Sequence, residues 1–389
     1  MRSQGAVVVN LPPPVLVQTP AAWHDCLAAL QKQDQLAVDT ESNSLFAHRE
    51  QVCLIQVSTP DQDFIIDPLA LTELDGFGDL MADPAVEKIF HAAEYDLLSM
   101  KRDFGYSFAN LYDTMLAARI LGWKKVGLGS ILEQEFDLQV NKRYQRANWG
   151  RRPLPPEQIA YARQDTHYLI PIRDMMEREL EAAGRVAEAR ESFSQVAMTP
   201  TPPARNFCPE DFWCLLNGRY QLSPQQQSVL RELFIFRERE AQRRNLPPFK
   251  ILGNQTLIEL AEALPQYPDE FQGIHGLTRR VIDRYGRRLT QVIKQGTQAQ
   301  PPELPARRVR PSESVLIRFE ALHNWRKERA AQRGVESDVI VSKKALWEIA
   351  SRNPKTVEDL ATIQFLGDWQ RNEYGKELLR VLRQARRRR

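Results

Sequence analysis

Residues 35–41 read QLAVDTE, an apolar run that ends in two carboxylates. Three more short runs follow it, VCLIQV at 52–57, DFIID at 63–67 and EKIFH at 87–91, and all are rich in residues that favour β-strands. Because the first three runs precede any convincing helical pattern, they predict an antiparallel meander. Helical patterns from Asp96 onward, including Leu111 to Leu121 and Pro156 to Leu180, then indicate an α/β domain with a mixed sheet.

The composition is that of a soluble globular protein. The chain has 389 residues, of which 42% are hydrophobic and 26% are charged, and this length predicts about two to three domains. No apolar stretch approaches the roughly 20 residues that a transmembrane helix needs, and residues 1–17 lack the apolar core of a secretory signal. We therefore expect a cytoplasmic protein without membrane contact.

Four scattered cysteines, none in a CxxC pair, indicate buried thiols rather than disulfides or zinc ligands.

Two proline-rich stretches, residues 198–204 and 298–311, lack apolar periodicity and predict linkers. They divide the chain into three predicted domains, 1–198, 206–296 and 312–389. The last two repeat one another, because FREREAQRR at 236–244 aligns with WRKERAAQR at 325–333 at an offset of 89 residues. The same offset pairs the Tyr-Gly dipeptide at 285–286 with that at 374–375. A constant offset over several helices predicts duplicated all-α modules.

Charge is distributed unevenly along the chain. Residues 1–199 contain 19 Lys and Arg against 28 Asp and Glu, whereas residues 200–389 contain 34 against 22, so the net charges are −9 and +12. This asymmetry favours a basic half that meets a polyanion, and solvated helix faces are the alternative explanation. The tail Arg386–Arg389 fits either a loose RNA contact or a solvated end.

Five residues are candidates for chemistry. Asp39 and Glu41 are two apart at a strand end, so both project from one face, where a hard divalent cation would neutralise them. Asp96 falls near the first turn of the helix that follows the 87–91 run, and Tyr161 and Asp165 lie one turn apart on a later helix. Taken singly, each has an ordinary structural explanation: solvated acids, an N-terminal helix acid, and an i,i+4 pair.

In combination and in this order, the five residues resemble the DEDD exonuclease superfamily, tyrosine subclass. The surrounding motifs are similar to those of the ribonuclease D family, and the repeated modules resemble the HRDC domain; the motifs are Val38-Asp-Thr-Glu41, Ile66-Asp-Pro68, Phe90-His-Ala92, Tyr112-Asp-Thr114, Trp149-Gly-Arg-Arg-Pro-Leu154 and Tyr161-Ala-Arg-Gln-Asp165. The resemblance covers residues 15–385. It implies a ribonuclease H-like exonuclease domain followed by two HRDC domains.

The resemblance also implies a mechanism. Asp39, Glu41, Asp96 and Asp165 would hold two Mg²⁺ or Mn²⁺ ions, with Asp39 bridging both, Glu41 and Asp165 serving the first and Asp96 the second. Tyr161 would orient the attacking water. The implied activity is 3′→5′ exoribonucleolytic trimming of structured RNA, such as tRNA precursors, with release of 5′-mononucleotides.

A basic segment before the Tyr161 helix suits the phosphates and stacked bases of a single strand, and its residues are Lys142, Arg143, Arg146, Trp149 and Arg152. A solvated loop with Trp149 packed inward is the alternative. Two other functions stay open: a DNA 3′→5′ exonuclease of the same superfamily, and a non-catalytic RNA-binding scaffold. The chain has no GxxxxGK[ST] phosphate loop, so we expect no ATP-dependent helicase activity.

Overall fold

The computed structural model describes residues 13–139, 142–201, 207–216, 221–303 and 310–387. These residues divide into two compact units. The described parts of Met1–Ser42, Val52–Pro202 and Arg310–Arg389 form one unit, and those of Asn43–Gln51 and Pro203–Val309 form the other. Most of the N-terminal segment considered above as a secretory signal, residues 1–12, lies outside the described residues.

A mixed sheet forms the centre of the first unit. In the described chain it has six strands in the order β1-β4-β3-β2-β5-β6, with bounds β1 Val15–Val17, β2 Gln35–Ser42, β3 Val52–Ser58, β4 Asp63–Ile66, β5 Glu87–Phe90 and β6 Leu111–Asp113. Strands β2, β3 and β4 pair antiparallel as predicted, and the other pairings are parallel. Strand β3 is buried along its whole length, which explains its continuous apolar run.

Helices surround this sheet, with bounds α1 Pro20–Leu30, α2 Phe77–Ala82, α3 Glu94–Phe104, α4 Thr114–Leu121, α5 Leu128–Phe136, α6 Pro156–His167, α7 Leu169–Ala182 and α8 Val186–Ala197. Two helical predictions need correction. The predicted helix from Leu111 begins with strand β6, and Asp113 caps α4 by accepting from two backbone N–H groups. The predicted helix from Pro156 to Leu180 breaks at Tyr168, because Pro171 has no N–H to donate to the carbonyl four residues earlier.

The helices of the two modules correspond one to one along the sequence. The first module comprises α9 Pro224–Arg244, α10 Pro248–Ile251, α11 Asn254–Ala263, a 3-10 turn Pro268–Phe271 and α12 Arg279–Gln298, after a 3-10 helix Pro209–Leu215. The second comprises α13 Glu313–Arg333, α14 Ser337–Ile340, α15 Lys343–Arg352, α16 Val357–Leu360 and α17 Asp368–Arg387. Every corresponding boundary from α9 onward differs by the predicted offset. Each module has its own apolar core, which supports the duplication.

The prediction of four buried thiols is half wrong. Cys26 and Cys53 are buried in the α/β domain, whereas Cys208 and Cys214 are exposed. Cys208 precedes a short 3-10 helix and Cys214 lies within it, and the buried side chains of this helix are those of Phe212 and Leu215. Among the described residues, no helix combines the length and apolarity that crossing a membrane requires.

Candidate active site

Three of the predicted acids converge on one face of the sheet, beside the interior strand β2. Asp39 and Glu41 project from the same face of β2, and Asp165 comes from α6, which packs across β2, β3 and β4. One carboxylate oxygen from each of the three lies within 4.8 Å of the other two. All three side chains are partly exposed, so the cluster is open to a ligand.

The fourth acid, Asp96, is 6% exposed and lies in the first turn of α3, as predicted. Thr40, the residue between Asp39 and Glu41, donates to Asp96 Oδ1 from its backbone nitrogen at 3.1 Å and from its hydroxyl at 2.5 Å. These bonds fasten the fourth acid to the strand that carries the first two. The role of Thr40 is not evident from the sequence, because its partner is 56 residues away.

Asp113 fixes the turn that delivers Asp96. Its carboxylate accepts from the backbone N–H groups of Ala92 at 3.1 Å and Ala93 at 2.9 Å, immediately before α3. Ala92 adopts a φ of 65°, an unfavourable conformation for a residue with a Cβ, which these bonds help to maintain. His91 bonds the Thr114 hydroxyl at 2.9 Å, and burial lowers its pKa to about 4, consistent with the structural role expected for it.

Asp63, a buried acid at the start of β4, holds α6 on the sheet. Its carboxylate pairs with Arg163 and lies 3.0 Å from His167 Nδ1, both on α6, and it accepts from the Ser58 hydroxyl at 2.6 Å. Burial alone would raise the pKa of Asp63, but the bonds from His167, Ser58 and Arg163 bring it below the usual value. This network positions the helix that carries Tyr161 and Asp165. This network is not evident from the sequence, because Asp63 lies about 100 residues from its partners on α6.

The electrostatics of the site are opposite to those of Asp63. Burial, together with the neighbouring carboxylates, raises the pKa of Asp39 well above its usual value and that of Glu41 to about 9. Burial likewise raises the pKa values of Asp96 and Asp165 to about 7. Four such groups can be ionised together only if positive charge is added. Their hard oxygen donors and close spacing fit a divalent cation such as Mg²⁺ or Mn²⁺.

Tyr161 lies one turn before Asp165 on α6 and is 6% exposed. Its ring packs against Tyr144 and Trp149, with centroid separations of 5.9 and 6.2 Å. Burial and the nearby carboxylates raise the pKa of its phenol, so the hydroxyl stays protonated at neutral pH. A neutral phenol can donate and accept hydrogen bonds but is a poor base.

Two of the predicted RNA-binding residues have internal contacts in the structure. Trp149 is only 1% exposed, so its ring packs under Tyr161 and offers no face to a base. Both Arg152 contacts to Asp67 measure 2.6 Å, and the guanidinium also donates to the Cys53 carbonyl. This bonding occupies Arg152 internally. Trp149 therefore supports the Tyr161 ring, and Arg152 fastens its segment to β3 and to Asp67 after β4.

The remaining three members of that group lie on the 3-10 helix Lys142–Arg146. Arg143 and Arg146 are exposed there, and their contact with RNA stays a prediction. The Lys142 side chain lies outside the described residues.

The chain is similar to known exonucleases in sequence and in fold. Residues 14–181 match the 3′-5′ exonuclease family, and residues 226–293 and 316–382 each match the HRDC domain. The chain is 31% identical over 272 residues to ribonuclease D of Gluconacetobacter diazotrophicus, covering 69% of this chain and 68% of that protein. It is 30% identical over 283 residues to the exosome complex exonuclease RRP6 of Saccharomyces cerevisiae, covering 69% of this chain and 38% of that one.

The eukaryotic relatives are much longer proteins, and the chain spans 27 to 41% of their length. Among solved structures, that of Escherichia coli RNase D aligns over 96% of this chain and 99% of its own, with a TM-score of 0.68 and 22% identity. This likeness confirms the predicted fold class: a ribonuclease H-like domain with a mixed sheet, followed by helical HRDC modules.

Proposed function

The chain belongs to the ribonuclease D family, and on that premise we propose that it is a metal-dependent 3′→5′ exoribonuclease that releases 5′-mononucleotides. The observation that carries the proposal is the cluster of Asp39, Glu41 and Asp165, with Asp96 fastened beside it through Thr40. Clustered carboxylates without a counter-charge are costly unless a cation binds there.

Asp39, Glu41, Asp96 and Asp165 would hold two divalent ions, Mg²⁺ or Mn²⁺. Such ions, when bound, activate water and stabilise charge on the leaving oxygen of a phosphodiester. The chain itself orients the reactants. Tyr161, neutral and held by its aromatic neighbours, would hydrogen-bond the attacking water, and the Asp63 network would keep Tyr161 and Asp165 at a constant distance from β2.

For substrate we propose RNA with a 3′ extension on a structured body, such as a tRNA precursor. Relatives named ribonuclease D and exosome exonuclease, and the E. coli enzyme described as acting in structured RNA processing, support this class. The basic C-terminal half fits a polyanionic partner. The cytoplasmic location stays a prediction.

The test is a time course on a 3′-labelled, 3′-extended tRNA and on single-stranded DNA of matched sequence, with Mg²⁺, Mn²⁺ or chelator. We expect labelled mononucleotide from RNA with metal only, and none from the Asp39→Ala variant. The matched control is Asp61→Asn, which changes an exposed acid. Equal release from DNA would instead favour a nuclease of broader specificity, and tight RNA binding without any release would favour the scaffold.

A further inference from the structure

One polar residue interrupts the apolar run of β3. Gln56 lies in the second half of this strand, and its side chain is completely buried. Neither its Oε1 nor its Nε2 has a hydrogen-bond partner among the described residues, and no other residue of that set leaves two buried side-chain atoms unpaired. Because an amide offers one acceptor and two N–H donors, its burial without a partner is costly.

Strand pairing places Gln56 beside Asp39. The two residues stand directly opposite one another in the antiparallel pair of β2 and β3. Opposite residues point to the same face of a sheet, with their Cβ atoms about 5 Å apart. The Gln56 side chain therefore lies on the face that carries the cluster of Asp39, Glu41 and Asp165.

Helix α6 covers Gln56 on this face. Leu54 and Ser58 are two residues before and after it, so they share its face, and both contact α6. Leu54 belongs to one apolar cluster with Tyr161, and the hydroxyl oxygens of Ser58 and Thr166 lie 2.7 Å apart. Gln56 lies between these two contacts. Its complete burial excludes direct contact with RNA, so any role in the reaction must act through a neighbouring side chain.

Other buried polar side chains of this sheet find partners within the chain. Ser58 donates to Asp63 at 2.6 Å. Lys88, which is also completely buried, donates to two backbone carbonyls at 2.5 and 2.7 Å. The fold thus supplies partners to polar groups at this depth, and the exception at Gln56 lies next to a candidate metal ligand.

A neutral donor is well suited to orient a carboxylate that binds a metal. Such a carboxylate directs some of its lone pairs at the ion, and a neighbouring side chain commonly hydrogen-bonds the others and fixes its orientation. A lysine or arginine in this place would neutralise the acid and so compete with the cation. The amide of Gln56 carries no charge, so it can orient Asp39 without displacing the ion.

We propose that Gln56 is a positioning residue of the metal site, whose Nε2 donates a hydrogen bond to the Asp39 carboxylate when that carboxylate ligates a divalent cation. The cation-bound acid thereby supplies the partner that the amide lacks among the described residues. The inference rests on the proposed function in that it requires a cation at Asp39. It predicts that removal of the amide lowers the affinity for the cation without lowering the stability of the metal-free protein.

The experiment uses the full chain with Gln56→Met, because methionine is equally long and unbranched but has no amide. The control is Ile65→Val, which removes one methyl group from the other cross-strand neighbour of Gln56 and leaves the amide in place. The Kd for Mn²⁺ is measured by electron paramagnetic resonance of the free ion. The Tm is measured in chelator.

Gln56→Met should raise the Mn²⁺ Kd about ten- to a hundredfold, the usual effect of losing a side chain that orients a metal ligand. Its Tm in chelator should equal or exceed that of the parent, because an apolar group replaces an unpartnered amide. Gln56→Leu, measured in parallel, should raise the Kd to a similar extent, since it also lacks the amide. Ile65→Val should keep the Kd within twofold of the parent and lower the Tm slightly.

Three results would overturn the inference. The first is a Mn²⁺ Kd within twofold of the parent for Gln56→Met and Gln56→Leu. The second is an equal rise of the Kd in Ile65→Val, which would assign the effect to packing under α6. The third is a Tm in chelator below that of Ile65→Val for both Gln56 variants, which would show that the amide already has a partner in the metal-free fold.

Failure of this inference can be distinguished from failure of the proposed function. A parent protein that binds Mn²⁺ but does not hydrolyse RNA would contradict the exoribonuclease proposal alone, because the comparison of Kd values needs no substrate. A parent that hydrolyses RNA, with Gln56 variants of unchanged Kd, would contradict only the role of Gln56. A parent that binds no Mn²⁺ would contradict both.

Discussion

Carboxylates of the α/β domain occur in two kinds of surroundings. Asp63 is neutralised within the chain by Arg163 and His167, and its pKa is below the usual value. Asp165 lies on the other side of α6 from Arg163 and His167, and it clusters there with Asp39 and Glu41 of β2. In the described part of the chain, no Lys, Arg or His forms an ion pair with these three acids. Their pKa values are raised.

The same residue type thus acquires opposite properties from its neighbours. Where the acid has a structural role, the fold supplies the cation; further examples are Asp67 with Arg152, Glu87 with Arg173 and Arg190, and Glu188 with Arg333. Where the acids lack such a cation, we expect a ligand to supply it. An acidic cluster is therefore informative only after its counter-charges have been counted.

The largest expected effect comes from Asp39→Asn, which keeps the shape of the side chain and removes its charge. Turnover of RNA should fall at least about a thousandfold, since metal assistance contributes several kcal/mol. The metal-free variant should melt at or above the temperature of the parent, because one of four repelling acids is gone. If the variant kept a tenth of the parent activity, Asp39 would not be a metal ligand. The control is Asp61→Asn.

Asp63→Asn tests the other side of the comparison. It leaves Arg163 and His167 without their counter-charge, and we expect the free energy of unfolding to fall by about 3 kcal/mol, as for other broken buried pairs. Urea denaturation measures this. A loss as small as that of exposed Asp61→Asn would show that the network does not hold α6.

Tyr161→Phe removes one hydroxyl and keeps the packed ring. We expect turnover to fall about ten- to a hundredfold, the range for loss of one positioning or proton-sharing group, with KM little changed. Stability should fall by about 1 kcal/mol, because the hydrogen bond with Gln145 is lost. Unchanged kcat would exclude Tyr161 from water orientation.

The smallest effect concerns pH. Unfolded Asp and Glu titrate near pH 4, whereas Asp96 and Asp165 in the folded chain titrate at about 7 and Glu41 at about 9. Between pH 4 and 9 the folded state binds more protons than the unfolded state. The free energy of unfolding of the metal-free protein therefore falls as pH rises. We expect its Tm to drop by several degrees from pH 5 to 9, with Mn²⁺ reversing the drop.

Glu41→Gln provides the control for this last measurement. Without the group that titrates highest, the Tm should depend less on pH above 7. A slope identical to that of the parent would mean that the site acids do not cause the pH dependence.

Local patterns were enough to predict much of the fold. The four apolar runs became β2 to β5 within one or two residues, because alternation and β-branched content act over short distances. The predicted offset of 89 residues holds at every corresponding helix boundary of the two modules. The five candidate residues were placed on the elements where the structure has them, since each lies at the end of a strand or on a helix face.

Other features depended on residues far apart in the chain. Trp149 is buried, as in the alternative with its ring packed inward, and Arg152 pairs with Asp67, 85 residues away. The sequence of the basic segment predicts neither contact, because an arginine that binds a phosphate and one that pairs with a buried aspartate can have the same sequence neighbours. Spacing along the chain thus determines which side chains share a face. Whether a buried charge has a partner is decided by folding, because electrostatic energies depend on distance in space and on the exclusion of water.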